Sequence, residues 1–235
     1  RDYPGSRGSG RQSPAFWGSK IRVGWRKSGI RATKKLHNLS QRCIIENIEL
    51  RIHEERLEMI FLKTKEAVAR RCSCRAYKPY QISEKELNIV LQCGNAAPVG
   101  MGKFETLKFT VIQNRELLDK IDAEGSKFFG DPNVHPLYGA PTLILVSGKA
   151  DDVELSMCNA SCVVENMAIT ATDIGLGSCY IRGNIKAITY NKELCEAMKV
   201  PEGFVPCAGI ILGYPVKEPE ERELTMDKIQ VEYVR

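Results

Sequence analysis

From Met59 onward the apolar positions change period several times, and each change marks an element. Residues 60–70 carry helical spacing that ends at Arg70 and Arg71. Ser83 with Glu86 three positions later is a capping box, which predicts a helix running to about Gly94. LKFTVI (107–112) alternates as a half-buried strand does, and RELLDKIDAEG (115–125) returns to helical spacing. PTLILVSG (141–148) is a continuous apolar run, as expected of a central strand covered on both faces. A long helix is predicted from Val153 to Ile174, with Ala160, Val163, Val164, Met167, Ala171 and Ile174 on one stripe. CYIRG (179–183) reads as a short strand, KELCEAMKV (192–200) as a helix, FVPCAGIILGYP (204–215) as a buried strand and IQVEYV (229–234) as a terminal strand. Strands alternating with helices predict a sheet held between helical layers.

The preceding 58 residues are of another kind. They contain 13 Lys+Arg and 6 Asp+Glu, so the whole basic excess of the chain lies there, and residues 59–235 are mildly acidic. The first 35 residues show neither helical nor strand period and carry six glycines, ten basic residues and both tryptophans, Trp17 and Trp25. Such a segment reads as a disordered or non-native extension. Interleaved Arg, Lys and Trp is also the composition of a nucleic-acid-binding arm. Ile44, Ile45, Ile48 and Ile52 share a face, so a short helix over 43–57 is expected, and Met59 is a natural start for the compact part.

Composition narrows the function classes. At 43% hydrophobic the chain can bury a core. No apolar run reaches the ~18 residues of a membrane span. Nine cysteines without a secretory leader point to reduced thiols and a cytoplasmic setting. Cys72 and Cys74 have no second pair at zinc spacing, and Cys158 and Cys162, four apart on a helix, are expected to be small apolar filler beside Ala160 and Val163; a metal site is not expected. His135 is the sole histidine after residue 58, which leaves hydrolytic triads without support.

Three segments carry candidate chemistry. In RRCSCRAYKPY (70–80), Arg71, Ser73 and Arg75 alternate, so an extended backbone aims all three side chains one way. Two guanidiniums and a hydroxyl on one side suit a phosphate, although a solvated basic turn has the same composition. In TDIGLGSCYIRG (172–183), Gly175 and Gly177 follow the long helix; they form either a turn that admits a flat ligand close to the backbone or a helix C-cap and tight turn. In GNAAPVGMGKFETLKF (94–109), Pro98 ends a helix while Gly100 and Gly102 allow close approach, or simply a flexible loop. Anion binders and glycine-lined walls without an acid–base set suggest that a bound cofactor does the chemistry.

In this order and spacing the segments resemble the nitroreductase family of flavin enzymes. The resemblance rests on Arg71-Cys72-Ser73-Cys74-Arg75 with Tyr77, on Ala97-Pro98-Val99-Gly100, on Asp173, Gly175, Leu176, Gly177 and Ser178, and on Leu212 to Pro215. It covers residues 59–235. It implies an α+β three-layer α/β/α sandwich with a central mostly antiparallel sheet, and a homodimer whose C-terminal segments wrap the partner. It implies FMN held by Arg71, Cys72, Ser73 and Arg75, by Pro98, Val99 and Gly100, by Gly175, Leu176, Gly177 and Ser178, and by Arg222 on the phosphate. NAD(P)H is the implied reductant, and nitroaromatic, quinone-like or similar small acceptors take the electrons by turns in one cavity. Many relatives have an Asn and Gln-Pro-Trp in the loop after Ala-Pro; Gly102-Lys103-Phe104-Glu105-Thr106 stands there instead, so that asparagine's contact with the flavin is not assignable to a residue of this sequence. Rival readings are a same-fold flavin enzyme for reductive dehalogenation or flavin destruction, a flavin-storage protein, and a nucleic-acid-binding protein using the basic arm.

Overall fold

In the computed structural model the chain divides into two units, Arg1–Glu58 and Met59–Arg235. The structure describes residues 64–235, all within the second. The expectations for residues 1–58, including the helix over 43–57, lie outside the described residues.

Among the described residues six α-helices and four strands follow one another: α1 (Thr64–Arg70), α2 (Glu84–Asn95), β1 (Leu107–Ile112), α3 (Arg115–Phe129), β2 (Thr142–Lys149), α4 (Val153–Asp173), β3 (Gly177–Ile181), α5 (Gly183–Thr189), α6 (Lys192–Ala197) and β4 (Phe204–Gly213). The sheet order is β1-β2-β4-β3 and every pairing is antiparallel. The fold is therefore α+β. No helix among the described residues is long and apolar enough to cross a membrane.

Alternation in the central strands makes two cores. Ile144 and Val146 of β2 and Ile210 and Leu212 of β4 face α2 and the α4 stripe, which buries Val163, Val164, Met167, Ala171 and Ile174. Leu143, Leu145 and Ile211 face the other way, onto Leu118 and Ile121 of α3 and Ile185 and Ile188 of α5. An apolar residue at every position is the pattern a sheet with both faces covered requires. At the start of α2 the expected capping box forms: Glu86 N–H donates to Ser83 Oγ at 3.2 Å and Ser83 N–H to Glu86 Oε2 at 2.8 Å.

Several expectations are corrected. α3 runs to Phe129 rather than Gly125, and Gly130 at φ 70 ends it. Residues 183–189, which had no assignment beyond Gly183, form α5, and the strand at 177–181 stops before Arg182. Residues 229–234 form no strand and are exposed, because no edge of the chain's own sheet pairs with them. Cys158 and Cys162 are exposed rather than core filler, since the buried stripe of α4 lies on its other side.

Candidate functional site

Residues 71–78 form an extended ribbon fastened by its backbone at two places along its length. Ser73 bridges Ser178 in parallel, and Cys74 N–H donates to Ser178 O at 2.8 Å. Further on, Tyr77 bridges Pro215, Lys78 N–H donates to Tyr214 O at 2.9 Å and Val216 N–H to Ala76 O at 3.1 Å. Backbone pairing of this kind sets a two-residue repeat, so alternate side chains share a side. Arg71, Ser73 and Arg75 all act on the Cys179 thiol of β3, which burial pushes up in pKa and these three groups pull back down. Cys74 lies on the opposite side, against Gly177, where a Cβ would stand 2.8 Å from its Sγ. Glycine at 177 is thus what lets the ribbon approach β3.

Arg222 returns the chain to the start of the ribbon. Its backbone N–H donates to Ala69 O at 3.1 Å, and its guanidinium donates to Arg71 O at 2.6 Å and Val68 O at 3.0 Å. These are the orphan carbonyls at the end of α1, so Arg222 caps that helix and braces the ribbon. Two of its donors are therefore turned to backbone. Arg71 reaches Glu165 at 3.9 Å, and Arg70 reaches Glu221 at 3.5 Å.

The turn after α4 is a helix cap. Leu176 N–H donates to Ala171 O at 2.7 Å and Gly175 N–H to Thr172 O at 3.1 Å, with Gly175 at φ 77. That pairing is the Schellman motif, which spends the two N–H groups on the helix. Leu176, Gly177 and Ser178 are buried under the ribbon, and Gly175 is exposed.

Pro98, Val99 and Gly100 lie elsewhere. Gly100 N–H donates to Asn159 Oδ1 at 3.0 Å, in the first half of α4. The glycine turn begins just beyond Ile174, fifteen residues along that helix, or about 22 Å at 1.5 Å per residue, whereas Arg71 at the head of the ribbon reaches Glu165, six residues from Asn159. One chain therefore brings the ribbon, the glycine turn and Arg222 together, and sets the 98–100 loop well along α4 from the glycine turn.

One residue beside the ribbon, Tyr138, escaped sequence reasoning, and one within it, Tyr77, was noted without a role. The Tyr138 ring centroid lies 5.8 Å from Arg75 Cζ. Tyr77, half-buried against the second core, donates its hydroxyl to Cys74 O at 2.9 Å, and burial drives its phenol pKa far upward. Tyr77 was noted only as the aromatic that follows the arginines, and nothing near Tyr138 in sequence marks it. A cavity of about 570 Å³ lies on α3 and the loop after it, lined by Arg115, Asp119, Asp122, Lys127 and His135. No residue of the ribbon lines it. His135 Nδ1 lies 2.7 Å from Asp122 Oδ2 there.

The chain is similar to several known proteins. The model of the Nitroreductase family matches residues 125–214. A Methanothermobacter thermautotrophicus protein, by name an NADH dehydrogenase/NAD(P)H nitroreductase, is 27% identical over 176 residues, covering 71% of this chain and 85% of that protein. A Bacteroides fragilis nitroreductase solved with bound FMN superposes with TM-score 0.63 at 26% identity, covering 73% of this chain and all of that one. A Desulfitobacterium hafniense nitroreductase, also solved with bound FMN, gives TM-score 0.66 at 22% identity over 74% of this chain and all of that one, a likeness of fold.

Proposed function

The chain belongs to the nitroreductase family, and from that premise we propose that it is an FMN-dependent NAD(P)H oxidoreductase acting on nitroaromatic, quinone-like or similar small acceptors. One observation carries the cofactor reading: the ribbon is locked by its backbone to the sheet edge, and its two-residue repeat turns two guanidiniums and a hydroxyl, Arg71, Ser73 and Arg75, to one side. Ser73 and Arg75 are exposed, so their donors are free for an anion without first breaking a buried contact. This donor set fits a phosphate monoester and the electron-rich pyrimidine edge of a flavin.

FMN, when bound, supplies the hydride transfer that takes electrons from NAD(P)H and passes them to the acceptor. The chain's own residues bind and orient. Arg71 and Ser73 hold the phosphate end, and Arg75 sets positive charge beside the pyrimidine edge, where charge gathers on reduction. Cys72 and the 175–178 turn shape the wall against which the cofactor rests. Arg222 acts through the ribbon, which it braces at Arg71 O and Val68 O. The reductant and the acceptor use one cavity in turn, so ping-pong kinetics are expected.

A second copy of the chain completes the site. The 98–100 loop is held on Asn159, about 22 Å along α4 from the glycine turn, so on this reading Pro98, Val99 and Gly100 serve the partner's cofactor. The C-terminal arm supports the same assembly: beyond Arg222 it exposes Met226 (72%), Ile229 (80%) and Val234 (96%). Thirteen residues of extended chain reach about 43 Å, enough to wrap a neighbour.

The test is an anaerobic absorbance spectrum of the purified full chain before and after NADH or NADPH. Flavin bands that bleach on addition are expected, and the Arg71→Ala, Arg75→Ala double variant should be colourless. A wild-type protein that neither carries nor takes up FMN overturns the reading, as does normal flavin occupancy in the double variant.

A further inference from the structure

Of the arginines gathered at the ribbon, three are engaged within the chain. Arg70 and Arg71 meet Glu221 and Glu165, and Arg222 meets backbone carbonyls. Arg75 differs: every salt bridge among the described residues belongs to other groups. Its neighbour is the face of Tyr138, within the roughly 6 Å at which a ring's quadrupole attracts a cation.

Tyr138 reaches that place by a backbone conformation aromatic residues seldom adopt. Its φ is 50, in the left-handed region that favours glycine. The surroundings impose it. Asp122 of α3 accepts from Leu137 N–H at 2.8 Å through Oδ1 and meets His135 Nδ1 at 2.7 Å through Oδ2, so one carboxylate grips both sides of the turn. Tyr138 N–H donates to His135 O at 2.8 Å, and Ala140 N–H to Leu137 O at 2.9 Å. Leu137 and Ala140 are buried in the core below, while Tyr138 stays 37% exposed. The turn is rigid, and the phenol is its one side chain aimed at the ribbon.

We propose that Tyr138 is the positioning residue of Arg75, holding the guanidinium toward the cofactor without cancelling its charge. The inference rests on the FMN reading above. A carboxylate in place of Tyr138 would fix the guanidinium equally well, but as a neutralised pair. The π face and phenol oxygen fix it as a neutral partner can, leaving a full positive charge and the outward N–H groups for the ligand. In keeping with this, the Tyr138 hydroxyl is the largest influence raising the Arg75 pKa. The consequence falls on FMN affinity and reduction potential, not on the fold.

The experiment uses the full chain and the variants Tyr138→Gly, Tyr138→Phe, Tyr138→Glu, Arg75→Ala and the Tyr138→Gly, Arg75→Ala double. Glycine suits φ 50, so Tyr138→Gly keeps the turn and removes only the ring. FMN dissociation constants and the midpoint potential of bound FMN are measured, with urea midpoints as the folding control. Tyr138→Gly is expected to weaken FMN about two- to fivefold, the range of a cation–π contact at an exposed site, with an unchanged or raised urea midpoint. Its potential should fall, that of Tyr138→Glu should fall further, and that of Tyr138→Phe, which keeps the ring but loses the hydroxyl, should lie between Tyr138→Gly and wild type. In the Arg75→Ala background, Tyr138→Gly should change neither quantity. Additive effects in the double variant, or a Tyr138→Glu potential equal to wild type, overturn the proposal. A wild type without FMN refutes the cofactor reading itself. A wild type that binds FMN and responds to Arg75→Ala but not to Tyr138→Gly refutes this inference alone.

Discussion

Replacing Arg222 by methionine separates two roles that the residue's position leaves close together. The side chain makes two charge-assisted hydrogen bonds, 2.6 Å to Arg71 O and 3.0 Å to Val68 O, at the C-terminal end of a seven-residue helix. Bonds to a charged donor contribute about 1.5–3 kcal/mol each when buried. The group is only half-buried, so about 1 kcal/mol each is the better figure after solvent screening. The ribbon then loses about 2 kcal/mol, and ligand affinity falls by up to roughly thirtyfold. If Arg222 works by bracing the ribbon, the loss is shared by every ligand the ribbon holds. Titrating Arg222→Met with FMN and with riboflavin, which lacks the phosphate, therefore decides the matter. Bracing predicts the same fold-loss for both flavins and a lower urea midpoint, with Arg222→Lys intermediate. A variant that loses FMN affinity while binding riboflavin as wild type does would refute bracing and put Arg222 on the phosphate.

Three further outcomes follow from the same contacts. Deleting residues 223–235 should shift the protein from dimer to monomer in analytical ultracentrifugation and lower flavin retention; an intact, fully loaded dimer would dismiss the wrapping arm. Glu86, 5% exposed, accepts from Ser83 N–H, Ser83 Oγ and Tyr214 Oη, so Glu86→Ala should cost about 3 kcal/mol and Tyr214→Phe about 1 kcal/mol by urea unfolding. Burial holds the Tyr77 phenol well above its ordinary value. Below about pH 10 both states keep that proton, and above it only the unfolded chain loses it. Stability should then fall by about 1.4 kcal/mol per pH unit, and Tyr77→Phe should remove that slope; equal alkaline slopes in the two proteins would show that Tyr77 is not the group responsible.

What the sequence conveyed was whatever repeats locally. The runs at 143–146 and 204–213 are apolar at every position because both sheet faces are covered, and the Ser83–Glu86 box marked the start of α2 to the residue. Gly125 misled because it resembles a stop signal. It is a contact glycine inside α3, where a Cβ would fall 2.4 Å from Asn184 Oδ1 and 2.5 Å from Pro136 Cγ. Those partners are eleven and fifty-nine residues away, and no window on the chain contains both. The site divides the same way. The alternation of Arg71, Ser73 and Arg75 is a period, and it could be read. Tyr138 meets Arg75 across sixty-three residues, and Arg222 meets carbonyls, which every residue carries and none advertises. The strand pattern at 229–234 belongs to the legible kind yet finds no ladder among the described residues. Its alternation is information about a surface, and so is the exposed apolar arm that contains it. A period specifies that a face will be covered; it does not specify by which chain.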